Sequence, residues 1–257
     1  MTDVSSIFDV SGKVALITGA TGSFGRAVSL GLARAGVKVM ATGRTDETLK
    51  PLVEKIQAEG GDAAYKAADP AVYEEVVKVV DDTKLIFGGI DILVTAAGLS
   101  IVKPITEMTE EEFDRVQRAN VHGSWHFCKA AGQVMIEQGR GGKVILLGSA
   151  RGELGLANYS AYSTSKGAVH LLAKNLGCEW GGYGINVNVI APTVFRSNLT
   201  QWMFDDDAFY KNFLKRIPIG RLGEPEDFIG TVIYLSSKAS DFMTGAVIAV
   251  DGGYTAG

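Results

Sequence analysis

Cysteine is nearly missing from this chain: Cys128 and Cys178 are the two thiols among 257 residues. Two cysteines cannot build a disulfide framework, and such sparse use fits a reducing compartment. Histidine is as rare, with three residues. His122 and His126 stand four apart, as a metal pair can, but no third ligand accompanies them, so no metal is expected. Runs of Lys or Arg are lacking too. With 25 basic against 29 acidic side chains the net charge is -4 and the pI is near 5.5, which argues against a nucleic-acid or anionic-membrane footprint. No apolar stretch approaches the ~18 residues of a membrane span. Residues 1–12 show neither the basic nor the apolar region of a secretory signal. A soluble cytoplasmic protein is expected. Proline is sparse, at 6, and no Pro/Ser-rich linker or composition break divides the chain. One domain over residues 1–257 is the reading.

Glycine, by contrast, is abundant: 32 residues, above the ~7% average. The glycines sit at the ends of apolar runs, where tight strand-to-helix turns need them. Short buried-strand patterns (13–18, 37–41, 63–67, 91–94, 142–147, 185–190, 246–250) alternate with helical ones (23–35, 46–59, 72–87, from 109 onward, 160–180, 224–236). Strand, crossover helix and strand repeated this often predict an α/β fold: one doubly wound, Rossmann-like parallel sheet of about seven strands with helices on both faces. The segment 193–216 breaks the rhythm. It holds Phe195, Trp202, Met203, Phe204, Phe209 and Tyr210 beside Asp205–Asp207, and is expected to be a substrate lid rather than core.

The first strand runs straight into Thr18-Gly-Ala-Thr-Gly-Ser-Phe-Gly25 and then a helix. Small residues there let the backbone approach a pyrophosphate, which the helix N-terminus stabilises through free N–H groups and its dipole. At the tip of the second strand an acidic residue would bond the ribose 2′-hydroxyl of NAD. The chain has Gly43-Arg44 instead, and a guanidinium can fork onto a phosphate. NADP is therefore favoured over NAD.

Tyr162 and Lys166 stand at i and i+4, on one helix face. Tyr234 and Lys238 repeat the spacing, but there no strand end precedes them and Arg221 takes the offset of a serine. Ser149 closes a buried strand thirteen residues before Tyr162, at the sheet edge where open α/β folds bind ligands. Hydride transfer from an alcohol needs a group to take the hydroxyl proton and return it in reduction. A free phenol titrates near ~10, about three units too high. One cation ~4 Å away at an effective dielectric of ~20 supplies ~4 kcal/mol, enough to make Lys166 sufficient in size. Ser149 would hydrogen-bond the substrate oxygen. Arg151 can enter the same pocket and hold a carboxylate or phosphate, or lie solvated on its loop.

Over essentially its whole length the chain resembles the short-chain dehydrogenase/reductase superfamily. The likeness rests on the turn 18–25, Asp69, Asp91-Ile-Leu-Val-Thr-Ala-Ala-Gly98, Asn120, Ser149, Tyr162, Lys166, Asn188-Val-Ile-Ala-Pro192 and Asp251-Gly-Gly253. It implies a Ser149–Asn120–Tyr162–Lys166 tetrad, in which the Asn120 backbone holds a water linking Lys166 to solvent. It implies a cofactor held by Gly19, Thr21, Ser23, Phe24, Gly25, Arg44, Asp69, Ala97, Gly98, Tyr162, Lys166, Pro192 and Thr193, with Asp69 toward the adenine. Ser149, Arg151, Tyr159 and Trp202 are the substrate candidates, and a homotetramer is implied, built on helices around 109–137 and 160–180 and the C-terminal strand.

Four departures bear on the cofactor, one of them Thr193 after Pro192, where the family commonly has glycine. Ser23 takes the place of the middle glycine. Thr95-Ala-Ala-Gly98 lacks two amides that brace the central strands in the family. Pro70 removes a backbone N–H beside Asp69. The expected function is an NADP(H)-dependent oxidoreductase interconverting a ketone and a secondary alcohol on a small polar substrate, of sugar-acid, hydroxy-acid or 3-oxoacyl kind. A non-catalytic NADP-binding regulator and an NAD-dependent alcohol or polyol dehydrogenase are the alternatives. A halohydrin-type lyase is disfavoured by Lys166 and by the glycines of the turn.

Overall fold

The run Val14–Thr18 is apolar without alternation, as befits a strand covered on both faces, and all five of its residues are buried. The computed structural model describes residues 4–195, 200 and 207–257, without the side chains of 207–209. Seven strands form one sheet: β1 Val14–Thr18, β2 Lys38–Gly43, β3 Ala63–Ala67, β4 Ile92–Thr95, β5 Gly142–Leu147, β6 Ile185–Pro192 and β7 Val247–Val250. Their order is β3-β2-β1-β4-β5-β6-β7, and every pairing is parallel. The expected doubly wound sheet is what the chain forms.

Each crossover carries a helix: α1 Ser23–Arg34, α2 Asp46–Ala58, α3 Tyr73–Phe87, α4 Glu110–Gln117, α5 Gly123–Gln138 and α6 Ser160–Trp180, followed by α7 Asp207–Leu214 and α8 Ile229–Ser236. Neighbouring strand residues feed opposite cores. Ile17 packs with Val28, Leu32, Leu52 and Phe228 on one face, while Leu16 packs with Val79, Phe127, Val144 and Trp180 on the other. Each such side chain contributes ~1.5–3 kcal/mol of burial.

Three elements differ from the sequence reading. Thr109 caps α4 in a reciprocal box with Glu112, but the helix then loosens into a π-turn at Arg118–His122 before α5. The span 224–236 is a 3-10 turn, Pro225–Phe228, that passes into α8. Within the expected lid, 207–214 is helical, and Phe195 is core: it is 4% exposed and packs on Phe24 and Phe228 at ring separations of 5.3 and 4.1 Å. Tyr210, Phe213 and Leu214 pack onto a small cluster that includes Ala150 and Tyr254, which seats α7 beside the residue following Ser149. Residues 196–199 and 201–206, Trp202 among them, lie outside the described residues.

The strand order reverses between β1 and β4. Connections from these neighbours diverge at the carboxyl edge and leave a crevice there, and the turn 19–25 and the segment 96–99 form its two lips.

Candidate active site

Gly19 has φ 59°, the left-handed region, and a Cβ on it would stand 2.6 Å from the Ala97 Cα. A Cβ on Gly25 would overlap the Gly19 carbonyl oxygen. Only glycine allows the two lips to close in this way. Gly22 is the N-cap of α1; no side chain caps the helix and no acidic residue lies in its first turn. Unpaired N–H groups and a positive dipole end therefore face the crevice, a cradle that fits the pyrophosphate of a dinucleotide. Ser23 keeps the turn despite the missing glycine. Thr21 is half-buried beside Gly43. The Phe24 ring stacks edge-on against Phe228 at 4.4 Å, so what Phe24 offers the crevice is its backbone.

Arg44 follows β2, is exposed, and makes no ion pair among the described residues. Asp69 caps its own turn: Oδ1 accepts the Ala71 N–H at 2.8 Å, and its N–H donates to Glu75 Oε2 at 2.7 Å. The amides lost at Thr95 and Ala96 leave a trace, because the Thr95 hydroxyl is buried without a partner. Thr18 takes over part of the bracing, its Oγ1 accepting the Ala97 N–H at 3.2 Å.

Ser149 leaves β5 after Gly148 in extended conformation, and its Oγ accepts the Arg151 N–H at 3.1 Å. Tyr162 and Lys166 rise from the first turns of α6, one above the other. Lys166 is 3% exposed and donates to the Leu147 carbonyl at 2.7 Å; burial lowers its ammonium to about 8. The Tyr162 phenol is raised, with burial the largest cause, while a hydrogen bond from Ser149 and the charge of Arg151 pull it down. The expectation counted the Lys166 cation as sufficient in size, with oxidised nicotinamide adding charge, and left out burial; in the protein itself burial outweighs the cation, whose ammonium lies 5.7 Å from the Tyr162 ring centroid and is turned to Leu147.

Asn120 sits in the π-turn, 1% exposed. Its Nδ2 donates to the Leu99 carbonyl at 2.9 Å and to Ser165 Oγ at 2.8 Å, and its Oδ1 accepts the Leu99 N–H at 2.7 Å. The side chain thus ties the 96–99 lip to α6. Its backbone carbonyl accepts the Ser124 hydroxyl at 2.7 Å. A Cβ on Gly98 would come within 3.4 Å of Asn120 Oδ1 and 3.7 Å of Lys166 Nζ, so Gly98 sits against both. Pro192 ends β6 and Thr193 follows it, half-buried.

Tyr159 lies edge-on to Tyr162 at 6.3 Å. Arg151 is tied down, its Nη1 donating to the Leu154 and Gly155 carbonyls at 3.4 and 3.0 Å, and its Nη2 to the Tyr254 hydroxyl. The second Tyr/Lys pair does not share a helix face: α8 ends at Ser236, Ser237 is extended at φ -102° and ψ 174°, and Lys238 opens a separate turn. Sequence reasoning missed Tyr254, which Arg151 ties to the 150–155 loop, and His170, whose ring lies against the backbone of Ser149. The available signals were Asp251-Gly-Gly253 for the first and the glycines flanking Ser149 for the second.

A family model described as enoyl-(acyl carrier protein) reductase matches residues 19–255. An uncharacterized oxidoreductase of Mycobacterium tuberculosis is 48% identical over 254 residues, 97% of this chain and 93% of the relative. The gluconate 5-dehydrogenase of Gluconobacter oxydans is 34% identical over 249 residues, 97% of each chain. A crystal structure of a gluconate 5-dehydrogenase from Burkholderia cenocepacia, in complex with NADP and tartrate, superposes with a TM-score of 0.95 at 33% identity, covering 99% of this chain and 100% of that one. With the glycine crevice, the sheet order and these whole-length likenesses agreeing, the chain belongs to the short-chain dehydrogenase/reductase superfamily, oxidoreductases that act on CH–OH groups.

Proposed function

We propose that this protein is an NADP(H)-dependent oxidoreductase interconverting a ketone and a secondary alcohol on a sugar acid of the gluconate kind. The observation that carries the reading is the convergence of Ser149, Tyr162 and Lys166 at the mouth of the α1 crevice, with Arg44 exposed at the tip of β2 and in no ion pair among the described residues. The gluconate dehydrogenases among the relatives, one of them with NADP bound, support the substrate class and the cofactor.

When bound, the cofactor supplies two-electron hydride chemistry and, in its oxidised form, a positive ring. The chain's own groups do the rest. The α1 N-terminus and the glycine turn hold the pyrophosphate, Arg44 pairs with the 2′-phosphate, Asp69 borders the adenine, and Ala97, Gly98, Pro192 and Thr193 wall the nicotinamide side. Lys166 has one of its three donors committed to Leu147; the others reach the nicotinamide ribose. Ser149 donates to the reacting oxygen. Tyr162 takes the hydroxyl proton in oxidation and returns it in reduction. Because burial raises the phenol, the oxidised cofactor and Lys166 are needed together to bring it into working range.

Tyr159 borders the substrate, and Arg151, held by Tyr254, contributes charge to an anionic substrate from its loop. We place the protein in the cytoplasm as a homotetramer. The outer face of α5 and α6 supports that assembly, with Trp125 46% and Leu171 58% exposed. The test is NADP reduction by D-gluconate in wild type and in Tyr162→Phe, with NADPH binding measured on both. Loss of turnover with binding kept supports the reading and excludes a non-catalytic regulator.

A further inference from the structure

His170 lies on α6 one turn after Lys166, with its ring packed behind the residue that carries the Ser149 hydroxyl. It is 5% exposed. Its Nε2 lies 3.3 Å from the Ser149 backbone nitrogen, and its Nδ1 lies 3.8 Å from Glu153 Oε1. A backbone N–H can only donate, so Nε2 must carry the lone pair and the proton of the neutral ring belongs on Nδ1, facing Glu153. The chain makes room for this ring on both sides of Ser149. A Cβ on Gly148 would overlap His170 Nε2, and one on Gly152 would stand 2.5 Å from Cε1.

We propose that His170 is a positioning residue for Ser149: its unprotonated Nε2 holds the Ser149 N–H and so fixes the hydroxyl at the reacting oxygen, and protonation of the ring abolishes that bond and switches the enzyme off on the acid side. The inference rests on the proposed role of Ser149. A protonated Nε2 would present N–H to N–H, and Ser149 would have to move or lose its only backbone anchor to α6. The charged groups facing the ring are Glu153 from the loop and Lys166 and Lys174 from its own helix, while Val189 of β6 meets it without charge. Burial is the largest influence and favours the neutral ring; Glu153 opposes it and the two lysines reinforce it. The acid limb therefore lies below the ordinary histidine value, and removing the Glu153 charge moves it lower.

Two variants and two readouts test this. His170→Gln supplies a neutral acceptor that cannot titrate, and His170→Leu supplies none. With NADPH and 5-keto-D-gluconate from pH 5 to 8, the direction in which Tyr162 gives up its proton and adds no acid limb of its own, wild type is expected to lose kcat about tenfold per pH unit below its acid limb. His170→Gln keeps near wild-type kcat at pH 7 and loses that limb, whereas His170→Leu drops kcat about 10- to 100-fold with NADPH affinity unchanged. Glu153→Gln shifts the limb to lower pH.

The second readout needs no substrate: in 15N-labelled protein the Ser149 amide titrates together with the His170 ring, and this coupling is absent in His170→Gln. An acid limb that persists in His170→Gln, or a Ser149 amide indifferent to the His170 titration, overturns the inference. A wild-type protein without turnover, or a Ser149→Ala variant with full turnover, overturns instead the reading on which it rests.

Discussion

Lys166 donates to the carbonyl of Leu147 at 2.7 Å and makes no ion pair among the described residues, so a fully buried ammonium is held by one backbone dipole. An arrangement of this kind is costly in the protein by itself and makes sense where a second group is to accept the remaining donors. It is a stability cost placed at the proposed active site.

That cost has a sign. The native ammonium titrates at about 8 against an ordinary 10.5. Below pH 8 both folded and unfolded chains carry the proton, and the burial penalty, roughly 3 kcal/mol, is present in full. Between 8 and 10.5 the unfolded chain binds more protons than the native one, so this group's contribution makes stability rise with pH. Lys166→Met should raise the midpoint of ligand-free chemical denaturation at pH 7, flatten that rise, and abolish turnover. A denaturation series at pH 7 and pH 10 for both proteins checks it, and equal midpoints would count against the burial argument.

Arg44 is expected to set the cofactor. Arg44→Ala should weaken NADPH binding about 10- to 100-fold and leave NADH binding unchanged, because an exposed guanidinium can distinguish the two only by forking onto the 2′-phosphate. Fluorescence titration of both nicotinamides reads the difference directly. Equal losses for both would make Arg44 a surface charge.

Gly25→Ala places a methyl group on the Gly19 carbonyl oxygen and 2.7 Å from the Ala20 Cα. Both neighbours are backbone, so the turn must open. NADPH affinity should fall at least about tenfold, with the far side of the sheet undisturbed by hydrogen exchange.

Phe228 is 1% exposed and meets both Phe24 and Phe195. Phe228→Ala should cost about 3–5 kcal/mol of stability and loosen the start of α1, since Phe24 is the residue after Ser23. Urea denaturation gives the first quantity, and NADPH affinity reports the second.

Much of this molecule was legible because its signals are local. The unalternating burial of Val14–Thr18, the glycines of the turn and the four-residue step from Tyr162 to Lys166 each express a constraint within a few residues of chain. What could not be read depended on distant partners or on backbone detail. Phe195, near a run of aspartates, resembled a lid residue because its partners Phe24 and Phe228 are far away in sequence. The π-turn at Asn120 has no proline or glycine at Arg118–His122 to announce it. The spacing of Tyr234 and Lys238 matches that of Tyr162 and Lys166, and only the extended backbone at Ser237 separates them from one helix face. His170 finds its partner in Ser149, 21 residues earlier, and nothing within a few residues of it announces that contact. The expected lowering of the Tyr162 phenol came from counting the charges of Lys166 and oxidised nicotinamide and leaving out burial, which is the largest effect in the protein itself.

The central claim is proton transfer by Tyr162 in an NADP-dependent sugar-acid oxidoreductase, and its most direct measurement is NADP reduction by D-gluconate in wild type and Tyr162→Phe at matched cofactor saturation. The account predicts turnover in the wild type and a fall of at least about a thousandfold in the variant, with NADPH affinity preserved. Undiminished turnover in Tyr162→Phe would contradict it.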